Sequence, residues 1–273
     1  MKKTSLVPLI FIFISFLYSL THLPLINQIT AQTFLDVIQL FYAIYFWVFL
    51  FGLANHYHFF NYFSKQYAIY LCCIFAGYPT YAKIINDSTI PNKNKENLML
   101  YCSHPSLGFT IYTLGNGIFH NIKIGYIIFF IQILTNFILF LLLKEPQIIG
   151  SPKSTNQNLM SLIKSQFKQT FEVFIYIFGF MLVFRIIIYM LPIKSIFITA
   201  IFEFSSACLQ LENFHQPHAF ILCNMFLSFS SLSVLCQSVS LCKEIHLKKL
   251  ICVRFAQSLI SGILAYLIHF FIF

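Results

Sequence analysis

Apolar residues run in long blocks along this chain, and the polar stretches between them are short. Unbroken apolar blocks occupy about 6–26, 33–54, 124–143, 171–191 and 252–273. Each is close to the ~20 residues that a helix needs to cross a hydrocarbon core about 30 Å thick, so each predicts a transmembrane helix. Four further blocks carry helix-breaking or polar residues at their centres. Segment 66–85 breaks at Gly77-Tyr78-Pro79, and its opening run, QYAIYLCCIFA, would rise only about 16 Å as a helix. Segment 98–119 contains Ser103-His104-Pro105-Ser106, segment 195–211 contains Glu203-Phe204-Ser205-Ser206, and segment 217–242 contains SFSSLS at 228–233.

The order repeats: span, interrupted block, interrupted block, span occurs in 33–143 and again in 171–273. Gly77 and Glu203 lie 126 residues apart, Ser103 and Ser228 125, Ile124 and Cys252 128. Paired interrupted segments in two halves point to a transporter-type binding site at the bilayer midplane. Charge then chooses a topology. If 66–97 and 195–216 are re-entrant hairpins, 13 of the Lys and Arg residues (2, 3, 65, 93, 95, 144, 153, 164, 168, 243, 248, 249 and Arg254) share one face and two (Lys123, Lys194) the other, with Lys83 and Arg185 inside the membrane. Full crossings by 66–85 and 195–211 would split them 9 to 6. The positive-inside rule favours the hairpins, with a cytoplasmic N-terminus and an external C-terminus. The expected fold is an all-α polytopic membrane protein, one membrane domain over 1–273. It comprises inverted repeats at 33–143 and 171–273, a cytoplasmic connector at 144–168, two re-entrant hairpins and two broken transmembrane helices.

Composition agrees. The chain is 59% hydrophobic and 9% charged, with 35 Phe, against roughly 25% charged residues in soluble domains. That leaves no room for a soluble domain, and the net charge of +9 reads as topology rather than nucleic-acid binding. The opening MKKTSLVPLIFIFISFLYSL has no small-x-small cleavage site after it and reads as an uncleaved first helix. The eight cysteines form no C-x-x-C pair, so neither a disulfide frame nor a zinc site is expected. The pairs His56/His58 and His215/His218 read as interfacial residues. No metalloprotease, nucleophile-elbow or phosphate-loop motif occurs, so no enzyme activity and no cofactor are expected.

Candidate chemistry sits at the four interruptions. Irregular backbone at membrane depth is tolerated only where it lines a buried or water-filled cavity. Gly77 supplies backbone freedom and Pro79 stops the helix, with Tyr78 and Thr80 beside them. Glu203 is the one carboxylate flanked on both sides by long apolar sequence, and a buried acid there suits a coupling proton or Na+. Ser205 and Ser206 follow it. Ser103, His104, Pro105 and Ser106, and Ser230, Ser231 and Ser233 with Gln237, supply hydroxyls, amides and freed carbonyls at two unwound helix centres. Lys83 lies one turn past the first break, placed to attract an anion. Arg185, six residues from the end of its span, reads as snorkelling to the membrane surface.

These stretches resemble the YlbJ-like sporulation integral membrane proteins. GYPTYAK (77–83) is similar to a G-[FY]-P-x-G-A-K tip, and YCSHPSLGFTIYTLGNGIFHNIKIGY to the following Ser/Asn-Pro stretch and glycine-containing helix. FEFSSACLQ resembles the glutamate-bearing second hairpin, and SFSSLSVLCQ a G-F-[SG]-G-[LF]-S-V-x-x-Q segment. The likeness runs over about 36–273. By position it covers Gly77, Pro79, Lys83, Ser103, Pro105, Glu203, Ser231, Ser233 and Gln237. Tyr81 stands where the tip has its second glycine, and Ser228 and Ser231 stand where the last segment has glycines. The resemblance implies a nucleoside-recognition ("Gate") domain, distantly similar to concentrative nucleoside transporters. It also implies sporulation-linked movement of dipicolinate across the membrane around the forespore. The rival readings are a transporter of nucleosides or another small solute, and a non-transporting membrane protein needed for spore assembly.

Overall fold

The computed structural model describes residues 20–56, 65–88, 90–143, 158–193, 195–242 and 246–273, all helical or irregular. Most of the expected first span (6–26), the connector as far as residue 157, and Lys194 and Lys243 lie outside the described residues. Helix α1 runs over Leu23–His56. Pro24 sits in its first turn, where the missing N–H costs nothing. The polar stretch 27–32 contains no Gly or Pro and is helical, so α1 takes in that stretch ahead of the expected span at 33–54. Helices α2 (Lys65–Ala76) and α3 (Thr80–Asp87) flank the first interruption. Helix α4 (Asn92–Tyr101) ends at irregular residues 102–106, and a π-helix, Phe109–Ile118, follows. Helices α5 (Ile122–Leu142) and α6 (Leu159–Met190) are continuous. Helices α7 (Ile196–Phe202) and α8 (Phe204–Gln210) meet at Glu203. Helices α9 (Gln216–Phe229) and α10 (Ser231–Leu241) meet at Ser230, and α11 (Leu247–His269) comes last.

Among the described residues four stretches are long and apolar enough to cross a membrane: Ile122–Leu142, Leu159–Met190, Gln216–Leu241 and Leu247–His269. The protein is a multi-pass, all-α membrane protein. Its exposed Phe, Leu and Ile side chains suit contact with lipid tails.

Three helix pairs build the body. Helix α1 lies antiparallel along α6, with Phe34 edge-on to Phe174 and Phe178 at 6.3 and 6.0 Å and Tyr45 against Phe167 at 5.9 Å. The π-helix lies along α5 at glycine-to-glycine distance: a Cβ on Gly115 would meet the Gly125 Cα at 2.8 Å. Helix α9 lies along α11, where a Cβ on Gly262 would meet the Met225 side chain at 2.8 Å.

Two apolar cores result. One joins α2, α3 and α4 to α6 and to the α10 residues Leu235 and Leu241. The other joins the π-helix, α5, α8 and α9 through residues such as Leu114, Ile128, Ala207 and Phe220. Tyr78 packs against both, so the first interruption sits at their junction.

Candidate functional site

The first interruption is held by close backbone packing. Gly77 has φ +69°, in the left-handed region. A Cβ there would lie 2.6 Å from the Cα and N of Ser106. The Tyr78 N–H donates to the His104 carbonyl at 2.8 Å, and the Tyr78–Pro79 bond is cis. The α2–α3 turn is thus laid directly on the irregular 102–106 segment. Pro105 explains that segment, since it has no N–H to donate and disfavours a helical residue before it.

The second interruption centres on Glu203, which has extended backbone and caps α8. Its carboxylate accepts from the Ser205 N–H at 3.0 Å, the Ser205 hydroxyl at 2.8 Å and the Ser206 N–H at 2.7 Å. It is 1% exposed. Acidic N-caps suit the positive end of a helix, which accounts for the local fold. Arg185 Nε stands 3.9 Å away. Arg185 does not snorkel: it is 8% exposed, with Nη1 2.7 Å from Asp36 and donating to the Thr33 hydroxyl at 3.1 Å. Its partner carboxylate lies on α1, which distance from the end of its own helix cannot reveal.

One cavity of about 90 Å³ lies between these elements. All four interrupted segments reach it: Tyr78 and Pro79 from the first, Ser106 and Phe109 from the second, Glu203, Phe204 and Ser205 from the third, Gln237 from the fourth. Ile177 and Met181 of α6 close one side. Phe204 stands edge-on to Tyr78 at 5.2 Å and to Phe109 at 5.4 Å, making an aromatic wall. Gln237 is positioned by its own helix, donating to the Ser233 hydroxyl at 3.0 Å. Tyr78 reaches across to the Leu227 carbonyl at 3.3 Å.

The remaining candidates stand outside the lining. Gly77 and Pro105 support the turn from behind. Ser206 contributes only its N–H, to Glu203. Lys83 is held at 3.5 Å from Glu172 and 3.6 Å from Asp87. Thr80 is fully buried at the start of α3. Ser230 and Ser231 have φ +70° and +59°. Both backbones are of the kind glycine adopts most freely. Ser103 and His104 are buried against α5, where the Asn136 amide donates to the Ser103 carbonyl at 2.7 Å and stands 3.0 Å from His104 Nδ1.

Asn136 belongs to a polar clasp between α5 and α11 that the sequence reading missed. The Gln257 amide donates to the Asn136 side-chain oxygen and, at 3.3 Å, to the Leu100 carbonyl. Arg254 is 1% exposed, donates to the Met99 carbonyl at 2.8 Å and also bonds Gln257. The clasp therefore satisfies the carbonyls that α4 leaves free where it stops. Arg254, counted above with the surface charges, is a buried structural cation at a helix C-terminus, where positive charge is favoured. One turn along α5, Gln132 donates to the Asn224 carbonyl at 3.2 Å and to the Ser261 hydroxyl at 3.1 Å, and accepts from Ser228 at 2.8 Å. Both broken segments are thus fastened to the same two helices. The signal was present: Gln and Asn inside apolar spans commonly bond between helices.

Compared with protein-family models, with curated proteins and with solved structures, the chain matches none.

Proposed function

We propose that this protein is a membrane transporter that carries a small polar or anionic solute through the cavity at Glu203. The observation that carries the reading is the meeting of all four interrupted segments at one cavity. Interrupted helices are costly in a membrane and persist where backbone and polar side chains line a pathway.

In this reading α2–α3 and α7–α8 are re-entrant hairpins, and the halves are inverted repeats. Two further contacts support that arrangement. Lys249 pairs with Glu96 at 3.5 Å, bringing the α4 and α11 starts to one end, as the positive-inside topology requires. His120 and Glu212 approach to 4.0 Å, joining the π-helix end to the end of the second hairpin.

The resemblance to YlbJ-like proteins narrows the solute to dipicolinate, with nucleosides next, and the burial of Glu203 suits it to a coupling proton or Na+. The test is flux into liposomes containing the purified protein, with labelled dipicolinate and uridine in parallel. Protein-dependent flux of one of them is expected, and Gln237→Leu should abolish it while the protein stays folded. Flux of neither solute removes the narrowed assignment; flux that survives both Gln237→Leu and Phe204→Ala removes the cavity from the pathway.

A further inference from the structure

Arg185 is shared unequally between two carboxylates. Nη1 makes a short ion pair with Asp36, 2.7 Å, and a hydrogen bond to Thr33, both on α1. Nε points at Glu203 from 3.9 Å and, although buried, makes no hydrogen bond. That gap is about 1 Å longer than a charge-assisted hydrogen bond. Asp36 is itself held by the Gln32 amide at 2.8 Å. The guanidinium is therefore tethered to α1 and held off the one acid that lines the cavity. Two carboxylates share one cation, so the three groups carry one negative charge more than they neutralise. Asp36 is partly exposed, but Glu203 is not. Uncompensated charge is expensive in a buried setting. Every group bonded to Glu203 can donate, as an acceptor-only carboxylate requires; the Ser205 hydroxyl serves both oxygens with one proton, so three protons stand on about four acceptor sites, and Glu203 lines the cavity.

We propose that Arg185 is a positioning residue for a small monovalent metal cation at Glu203: Asp36 and Thr33 hold the guanidinium back so that the cation can bind from the cavity, and Arg185 closes on Glu203 when the cation leaves. The proposal rests on the transporter reading but makes a prediction that needs no transport. Cation and guanidinium compete for one carboxylate, so weakening the tether must weaken cation binding, and removing the competitor must strengthen it. A passive ion-pair network has no such signature, since losing either partner would only destabilise the protein.

The experiment is thermal unfolding of the purified full chain in detergent, titrated with sodium chloride against choline chloride at constant ionic strength. The wild type should be stabilised by sodium, and Glu203→Gln should lose that response. Asp36→Asn, which frees Arg185 to reach Glu203, should need at least tenfold more sodium for the half-maximal shift. Arg185→Gln should need less than the wild type. If Arg185→Gln does not fold, Asp36→Asn and Thr33→Val carry the test, both expected to shift the midpoint upward. No sodium response in the wild type, an unchanged response in Glu203→Gln, or an unshifted midpoint in Asp36→Asn each overturns the proposal. A sodium response without flux of dipicolinate or uridine leaves it standing and removes the narrowed solute assignment; flux without a sodium response overturns the cation site and leaves the transporter reading.

Discussion

Replacing Gly77 by alanine tests the whole first interruption with a single methyl group. Two costs add. A non-glycine residue in the left-handed region costs about 1–2 kcal/mol. The new Cβ would also lie 2.6 Å from the Ser106 Cα and N, a distance at which something must move. Those are backbone atoms, held in turn by the Tyr78-to-His104 hydrogen bond and by Asn136 on the Ser103 carbonyl. Overpacking of that kind costs typically about 1–3 kcal/mol. Gly77→Ala should therefore destabilise by about 2–5 kcal/mol, or pull the turn away from Ser106 and open the cavity wall at Tyr78. Ser106→Gly in the same chain removes only the side-chain part of the clash, so it should restore little. Gly179→Ala in α6 is the control, because a Cβ there meets nothing within 4 Å. The assay is the unfolding temperature in detergent together with flux into liposomes for the three variants. A Gly77→Ala protein with wild-type unfolding temperature and full flux would refute the packing argument; full rescue by Ser106→Gly would show that side chains, not backbone, set the contact.

Three other substitutions have expected outcomes. Lys83→Gln should leave flux unchanged, because Glu172 and Asp87 hold Lys83 away from the cavity lining; a selective loss of flux for an anionic solute would return it to the pathway. Arg254→Met should lower stability by about 1–3 kcal/mol, the usual cost of leaving a buried hydrogen-bonding group without its partner, here the Met99 carbonyl, and Arg254→Lys should recover only part of it; unfolding temperatures of the two variants decide this. Ser231→Gly should raise stability by about 1 kcal/mol by relieving its φ of +59°, and a lower unfolding temperature would count against that backbone.

The four interruptions were legible because few explanations exist for Gly-Tyr-Pro, Ser-His-Pro-Ser or a lone Glu inside an apolar block, and each helix stops within a residue or two of them. What the sequence hid was partnership. Arg185 looked like a residue near a helix end with water in reach; its carboxylate lies on α1, about 150 positions earlier in the chain. Arg254 looked like one more basic residue after Lys248 and Lys249, yet the helix turns it inward onto carbonyls that a distant break leaves free. Lys83 read as placed to attract an anion because Glu172, one of its two partners, sits in the other half. The apolar lining was hidden for another reason. In a chain with 35 Phe, nothing local distinguishes Phe109 and Phe204 from those that face lipid. Only the crossing of the two halves selects them. The same crossing explains why the buried amides escaped notice: Asn136, Gln257 and Gln132 lie in spans that read as plain apolar helices, although each is satisfied by a helix from elsewhere in the chain. A polar side chain in an apolar span implies a partner across the helix interface. Counted that way, Gln132, Asn136, Asn224 and Gln257 point from sequence alone to α5, α9 and α11 as the helices that hold the broken segments. Which amide meets which carbonyl depends on helix rotation and depth, and those come only from the packed structure.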